Sequence, residues 1–589
     1  MLSGDGEMSL ESLGKVLKTD ILIVGGSVAG LSAALRAKEV APELDVVVVD
    51  RGYASFGFVG KSCRGGGNLF YLSPEDDPEE FVRYHVYNIG YFLNDQVLLR
   101  KFAYMNRAVI RHVESWGVKF VKRPDGKYFY TKVGPFPWSL IHHDLDHTRQ
   151  MALLAQRLGV RFVDKVMVSS LLKDANKVAG AVGFGVEDNS FYIFKAKAVV
   201  LATGSQNYGG LCRMWNSTGT GIKMAYDAGA EMRNPEFGNY AGGFIYAGEP
   251  AAAMWFPTGH DALYNAKGEN LTEKYIPIPR PDSTPEAHMA WYKEVMAGNG
   301  PIYVNLLALL PVLNCYVIPP ELRLKPTFAD RFWIRTHMLE RAVIKDPPTK
   351  IRVQHAFQCE MSCVKVDHLM KTTVPGLFAV GDVSYNGSAW TGAAPSPPGW
   401  IKGTGTLNAW FTGMIGGESV ASYVRALKEV GYEPPEVDYA QAKEIKEKLY
   451  EPLQRSNGVS PYDVIPKIWE AVYPIDYIVI KSKERLEEAL NRVLAFYDVI
   501  ERLKARDHHE LVKCIDAQSM ALTAEIFYRA SLMRTESRGG HFREDHPYMD
   551  NKNWLKWIIV KKNGDKMRLY TEDIPIQEYP YKPPQEKIP

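Results

Sequence analysis

The sequence predicts an α/β chain: a mostly parallel sheet, an α+β domain inserted into it, and a C-terminal helical domain. Three observations carry this. The run Asp20-Ile21-Leu22-Ile23-Val24 is apolar and β-branched, and Gly25-Gly26-Ser27-Val28-Ala29-Gly30 follows at once. Residues 235 to 350 turn rich in Gly, Pro and aromatics between two stretches of sheet character. From Pro434 to Ala530 the pattern is helical and heavy in Lys and Glu.

The first strand and turn set the plan. Leu31, Ala33, Ala34, Leu35 and Ala37 read as a helix turning small residues toward a sheet, and Val46 to Val49 is a second strand ending in Asp50. This is a dinucleotide-binding βαβ unit. Glycines let backbone approach a pyrophosphate, the helix N-terminus offers free N–H groups, and an acid about 20 residues on holds a ribose hydroxyl. Ser27 replaces the middle glycine of the G-x-G-x-x-G frame, a small residue in a position that asks for none.

The remaining elements follow in order. Ser62-Cys63-Arg64-Gly65-Gly66-Gly67 is either a flexible loop or backbone laid against a flat ligand. Pro78 to Trp116 is helical in pattern, and a helix spans roughly Asp144 to Leu158. Val166–Leu171, Val178–Phe184 and Phe191–Phe194 read as an antiparallel excursion, and Ala196–Leu201 as a separate strand ending in Ala202-Thr203-Gly204. Thr218-Gly219-Thr220-Gly221 opens a helix. Gly376 to Asp382 is a strand ending in Gly381-Asp382, where a carboxylate reaches a sugar hydroxyl. Pro395 to Gly417 is a loop then a helix, with Gly405, Thr406 and Asn408 at its start. Lys483 to Arg506 carries an apolar stripe that is bundle core. Two strands near Trp557 and Lys566 precede a Pro- and Tyr-rich tail, a kind of segment ordered only against a neighbour. The boundaries read are 1–18 (N-terminal extension), 19–235 and 351–425 (two parts of the nucleotide-binding domain), 236–350 (capping domain), 426–546 (helical domain) and 547–589 (tail).

Composition limits the function. The chain has 589 residues, a net charge of +2, 46% hydrophobic and 23% charged residues, so no bulk field argues for nucleic acid. Six cysteines make no disulfide framework. No apolar run of spanning length occurs, and Met1 to Lys18 lacks a signal-like apolar segment, so a cytoplasmic protein is expected.

Taken together, these stretches resemble the flavoprotein subunits of the succinate dehydrogenase, fumarate reductase and L-aspartate oxidase superfamily. Gly300-Pro301-Ile302-Tyr303 and the run from Arg534 to Asp545, RTESRGGHFRED, are similar to its capping and helical-domain signatures. Within it the chain looks most like the alpha subunits of dissimilatory adenylylsulfate reductase, through residues 178–184, 191–204, 505–511 and 554–579. The resemblance implies a Rossmann-like FAD-binding domain and an oxidoreductase. It implies a partner, a small iron–sulfur (ferredoxin-like) beta subunit, and a small anionic substrate. It places FAD against Gly25, Ser27, Val28, Ala29, Gly30, Asp50 and Arg51, then Ser62, Gly65 and Gly66. Further contacts fall to Ala202, Thr203, Gly204 and Thr220, to Gly381 and Asp382, and to Gly405, Thr406 and Asn408. No histidine stands in residues 54–67, so the FAD is expected to be non-covalent.

The substrate side departs from the family. Asp282 to Asn299 contains no arginine where dicarboxylate enzymes carry a proton-shuttling one. Trp400-Ile401-Lys402-Gly403 stands where they carry a carboxylate-gripping arginine, which a lysine does not replace geometrically. Asn239 to Pro257 also lacks the arginine of adenylylsulfate reductases. His355 is either a substrate-side proton relay or a structural histidine. Arg534, Arg538, His541 and Arg543 either fix an anionic substrate or form a helix-end ion network with Glu536 and Asp545. Trp255, His260 and Trp400 line the pocket or fill core. Cys359 and Cys363 lack further metal ligands and read as structural, and no cluster-binding cysteine run occurs.

Overall fold

The computed structural model describes residues 9–57, 59, 68–133, 136–209, 217–237, 240–246, 249–253, 263–275, 284–305, 307, 318–325, 350–357, 361–385, 404–432 and 437–584. Its first sheet has seven strands. Arg161–Val163, Val46–Val49, Lys15–Val24 and Phe191–Leu201 lie side by side in parallel, and Leu377–Ala379 pairs with the last of them. Lys177–Gly185 and Val166–Asp174 extend the sheet antiparallel. Toward their C-terminal ends the central strands are apolar and buried, Ile21–Val24, Val46–Val49 and Ala198–Leu201, as a parallel sheet covered by helices requires. Val24, Val49, Leu201 and Ala379 end their strands in register. Gly25, Asp50, Ala202 and Val380 therefore leave the sheet next to one another.

Two strand expectations change. The first strand begins at Lys15, inside the stretch read as an N-terminal extension, because Lys15 to Thr19 pair with Tyr192 to Ala196. Phe191–Leu201 is one strand where two were expected. The expected break falls at Lys195, whose backbone pairs with Lys18 on one side and Gly180 on the other. The buried Lys197 that follows meets the Asp20 carboxylate at 3.1 Å, with Lys428 at 3.0 Å from the same carboxylate. A paired charge can stay in a buried strand.

The helical stretch from Pro78 to Trp116 is two helices, Pro78–Asn88 and Gln96–Ser115. Each has its own N-cap: Asp77 accepts from the Glu79 N–H and Asp95 from the Leu98 N–H. The first is capped at Ile89, whose N–H still reaches the His85 carbonyl, and the link then turns through Tyr91 and Phe92 at positive φ.

The helix after the glycine turn, Val28–Val40, packs along Thr404–Glu429 at backbone distance. A Cβ on Gly413 would stand 2.6 Å from the Ala29 carbonyl oxygen, and one on Gly417 2.4 Å from that of Ala33. This contact fixes where the long helix begins relative to the glycine turn.

The insertion forms a five-stranded antiparallel sheet, ordered Glu249–Ala253, Tyr240–Tyr246, Ile351–Phe357, Ile302–Val304, Leu263–Tyr264. Ile351–Phe357 is its central strand, so the insertion runs past the boundary read at residue 350. The chain leaves the first sheet's domain through Met232–Arg233 and returns through Val364–Lys365, and Met232 pairs with Val364. The C-terminal hairpin, Lys556–Asn563 and Lys566–Asp573, adds to the same small sheet, with Met232 opposite Val560 and Arg233 opposite Ile559. The tail therefore docks on its own chain. Ile574 and Tyr579 are buried, the Trp557 indole donates to the Leu93 carbonyl at 2.8 Å, and Gln96 and Tyr581 exchange two hydrogen bonds.

Helices Tyr439–Gln454, Pro461–Val472, Lys483–Ile500 and His508–Met533 make the helical domain. Leu486, Leu490, Val493, Ile500 and Leu503 of the predicted stripe are buried. Among the described residues no helix is long and apolar enough to cross a membrane.

The helix contact yields a test. Gly417→Val forces backbone apart at a site with no flexible side chain to yield, a cost of about 1–3 kcal/mol or more. Thermal unfolding followed by fluorescence should show a clearly lowered midpoint for Gly417→Val and little change for Ser422→Val on the exposed face of the same helix.

Candidate functional site

The site is built where the parallel strands end. Gly25 has φ +105°, and a Cβ there would lie 2.4 Å from the Ala202 carbonyl oxygen, so the first turn is seated on the Ala202-Thr203-Gly204 turn. A Cβ on Gly30 would lie 1.9 Å from the Gly25 carbonyl oxygen, which binds the helix to the turn. Ser27 is the helix N-cap, with extended backbone, and the first-turn residues Val28, Ala29 and Gly30 follow it. The positive end of the helix dipole and its N–H groups face out of the sheet edge there.

Asp50 closes this turn. One carboxylate oxygen accepts from the Gly26 N–H at 2.8 Å and the other from the Gly52 N–H at 2.7 Å. Burial nevertheless raises this carboxyl above its ordinary range. The neighbouring Arg51 reaches Asp516 at 3.3 Å, and Asp516 also accepts from the Thr218 hydroxyl at 2.5 Å. The helical domain thereby touches both the acid end of the turn and the start of helix Thr220–Asp227.

Two further segments meet the same edge. Gly221 sits where a Cβ would strike the Thr203 hydroxyl, and the Thr203 Oγ1 is buried without a hydrogen-bond partner among the described residues. Gly381, at φ +69°, would bring a Cβ to 2.7 Å from that of Ala29, and its N–H donates to the Thr412 hydroxyl at 2.9 Å. Thr412 lies on the long helix, so Gly381-Asp382 and the helix start bearing Gly405, Thr406 and Asn408 are held to the glycine turn. The structure thus brings together Gly25, Ser27, Val28, Ala29, Gly30, Asp50, Ala202, Thr203, Gly204, Thr220, Gly381 and the start of that helix. The arrangement offers what a dinucleotide-binding fold presents to its ligand: a turn kept close by glycines, a helix N-terminus, a carboxylate at the end of the second strand, and a buried hydroxyl without a partner among the described residues.

Ser62, Gly65, Gly66, Trp255, His260, Cys359 and Trp400 lie outside the described residues. His355 is described for its backbone, which pairs opposite Gly242 in the inserted sheet. Cys363 is a buried free thiol.

The arginine cluster lies elsewhere, where the end of helix His508–Met533 meets the inbound link to the insertion. Arg534 is fully buried and donates to Glu236 at 2.7 Å, to Glu536 at 2.8 Å and to the Trp554 and Lys556 carbonyls. Arg538 grips both Glu536 oxygens at 2.8 Å and the Tyr91 carbonyl at 2.6 Å. Arg543 holds Asp545 at 2.6 Å. Of the two arrangements the sequence left open for Arg534, Arg538, His541 and Arg543, the geometry is that of an ion network with Glu536 and Asp545, and the catalytic assignment of Arg534, Arg538 and His541 is revised accordingly. Their polar atoms are engaged by protein groups, and burial without such partners would be prohibitive.

Two members of that network carried no sequence signal. Lys481 is fully buried, and its ammonium meets the His541 Nδ1 at 3.0 Å and the Glu236 carbonyl at 3.3 Å. Burial pushes this lysine down to about 7, against the pull of Glu236. His541 is held well below its ordinary range by burial and by Lys481, so it is neutral, accepting at Nδ1 and donating from Nε2 to the Arg534 carbonyl at 3.1 Å. Glu236 and Lys481 are far apart in the chain, and only the fold makes them neighbours.

With this geometry in place, comparison defines the class. A profile described as an FAD binding domain matches residues 20–245, and one described as the fumarate reductase flavoprotein C-terminus matches residues 474–588. The protein is an FAD-dependent oxidoreductase flavoprotein. More narrowly, it belongs to the succinate dehydrogenase/fumarate reductase flavoprotein family. One subunit of the fumarate reductase (CoM/CoB) from Methanothermobacter marburgensis is 23% identical, over 93% of this chain and 98% of its own. The E. coli quinol fumarate reductase FrdA has a similar fold, with a TM-score of 0.79 at 19% identity over 96% of this chain and 98% of its own. Adenylylsulfate reductase from Archaeoglobus fulgidus has a TM-score of 0.75 at 24% identity over 96% and 97%.

Three outcomes test the site. Asp50→Ala removes the acceptor that closes the turn, and purified protein should carry less FAD, read as a lower ratio of flavin to protein absorbance. Arg534→Met strands the buried Glu236 and Glu536 carboxylates, and should cost about 3–5 kcal/mol of stability, measured as a lowered urea midpoint. Lys481 gives a pH signature. The unfolded chain keeps this proton to about pH 10.4, whereas the folded protein releases it near pH 7. Between those values the unfolded state binds more protons, so this group's contribution improves with rising pH and is worst below pH 7. The thermal midpoint of Lys481→Met relative to wild type should be highest below pH 7 and fall toward pH 10.

Proposed function

We propose that this protein is the catalytic flavoprotein subunit of an oxidoreductase that exchanges electrons between a small anionic substrate and an iron–sulfur partner protein. The observation that carries this is the convergence of the glycine turn, Asp50, Ala202-Thr203-Gly204, Gly381 and one helix start on a single sheet edge, in a chain that also holds an inserted sheet on a paired two-strand link. In this reading Gly25 to Gly30 take the pyrophosphate and Asp50, with Arg51, the adenosine ribose. Thr203, Thr220 and Asp382 reach the sugar and ribityl hydroxyls. Gly405, Thr406 and Asn408 meet the ring edge, and Ser62, Gly65 and Gly66 lie flat against it, holding FAD without a covalent bond. When bound, FAD supplies hydride transfer on one side and single-electron exchange on the other. His355, on the central strand of the inserted sheet, is the residue we assign to proton relay at the substrate. Arg534, Arg538 and His541 act as positioning residues for the inbound link. A cytoplasmic location accords with the sparse cysteines and the lack of an apolar run of spanning length.

The substrate is not a simple dicarboxylate in this reading, because the arginines that grip and protonate one are missing near Asp282–Asn299 and at Lys402. The matching stretch of adenylylsulfate reductases also loses its arginine here, so the substrate is a different small anion. The second reading, a fumarate reductase, is favoured by the names of two of the similar proteins.

Anaerobic purification with whatever accompanies the chain, followed by dye-coupled assay, separates the readings. The expected result is bound FAD, an iron–sulfur protein in the preparation, and background rates with fumarate or succinate. Fumarate turnover with a reduced dye would establish the second reading instead. His355→Ala should keep its FAD and lose most of its turnover of the physiological substrate, about 10²–10⁴-fold for a general acid–base residue.

A further inference from the structure

We infer that the outer edge of the C-terminal hairpin pairs with the same edge of a second copy of this chain, strand to strand and antiparallel. Lys566–Asp573 is the last strand of its five-stranded sheet, and Lys556–Asn563 is its one strand neighbour among the described residues. An eight-residue strand with an open side is a template for another strand. Its side chains are exposed or half-buried along the whole length.

The register follows from the hairpin. Asn563 and Lys566 face each other across the two-residue turn Gly564-Asp565, so they form the closing hydrogen-bonded pair. The inward-bonding positions are then Lys566, Arg568, Tyr570 and Glu572. Met567, Leu569, Thr571 and Asp573 turn their N–H and C=O groups outward. An antiparallel copy must match outward-facing groups to one another. With Leu569 opposite the partner's Thr571, and Met567 opposite the partner's Asp573, each outward group from 567 to 573 has a counterpart. Tyr570 then faces the partner's Tyr570 on the two-fold axis, and Arg568 faces the partner's Glu572.

Charge selects this partner. Edge strands are commonly guarded by charged side chains, lysine above all, which repel a like-charged strand. Here the bases Lys566 and Arg568 stand at one end and the acids Glu572 and Asp573 at the other, so an antiparallel copy meets opposite charge. Arg568 forms no ion pair within its own chain among the described residues and lies 5.4 Å over the Tyr570 ring. Glu572 is half-buried between Lys365 and Arg233, where its charge is held in place to receive a second guanidinium. Cross-strand pairs of opposite charge stabilise a ladder and like charges oppose it.

Sedimentation velocity of the full-length FAD-loaded protein over a concentration series tests this, with Thr571→Pro and Arg568→Glu alongside. Thr571→Pro removes an outward donor and leaves the inner ladder intact. Wild type should dimerise, and each variant should weaken the dimer at least about tenfold while keeping flavin absorbance and thermal midpoint. Under oxidation Tyr570→Cys should give a covalent dimer, and Lys562→Cys on the inner strand should not. A wild-type monomer at all concentrations overturns the inference, as does a dimer indifferent to Thr571→Pro and Arg568→Glu. A monomeric chain that captures a different protein through this edge, and releases it on Thr571→Pro, overturns it too.

Discussion

The structure depends on backbone touching backbone at the end of the first strand. Gly25 can turn only because no side chain stands between it and the Ala202 carbonyl, and Gly30 carries the following helix back onto that turn. Two parallel strands in register bring the two turns to the same edge, and the absence of Cβ atoms lets them close. A single methyl group at either glycine would push the helix N-terminus away from the strand ends, and with it the place where phosphate is best received. The contact of the long helix with Ala29 and Ala33 through Gly413 and Gly417 repeats the device one layer out, and so the last segment of the site is fixed by the same steric rule.

A second constraint governs the insertion. Its two links to the nucleotide-binding sheet lie against each other and are backed by the C-terminal hairpin, so the end of the chain holds the joint made far earlier in it. Beside this joint sits a buried cluster of Glu236, Lys481, Glu536, Arg534, Arg538 and His541. Such a cluster adds little net stability over apolar packing but is costly to break at any one member. Its value here is in fixing geometry: Arg534 spans from the helical domain to Glu236, four residues before the first inserted strand. The positions of the helical domain and of the inserted sheet are coupled through one guanidinium.

Much of this was legible along the chain. Apolar β-branched runs, the glycine turn and the acid at the end of the second strand are local, and their physics is local too. A strand buried on both faces must be apolar, and a turn under a helix must be small. The misread elements share a cause. Lys195 interrupts a strand only if Gly180 and Lys18 are unseen, Lys15 lies outside the sheet only if Tyr192 is unseen, and the tail looks unattached only if Leu93 and Gln96 are unseen. In each case the deciding partner lies tens to hundreds of residues away.

The sequence alone determined the nucleotide-binding unit, because its strand, turn, helix and acid are written in spacings shorter than one supersecondary unit, while FAD and the order of the domains were implied by a resemblance carried by stretches along the whole chain. The tertiary structure decided the rest. It extended the insertion to a central strand at Ile351–Phe357, turned four candidate anion-binding residues into buried, protein-paired groups, and made the C-terminal hairpin part of the joint. Those outcomes depend on which charges meet inside the protein, where an unpaired ion is too costly to keep, and no local pattern records which partner a buried charge will find.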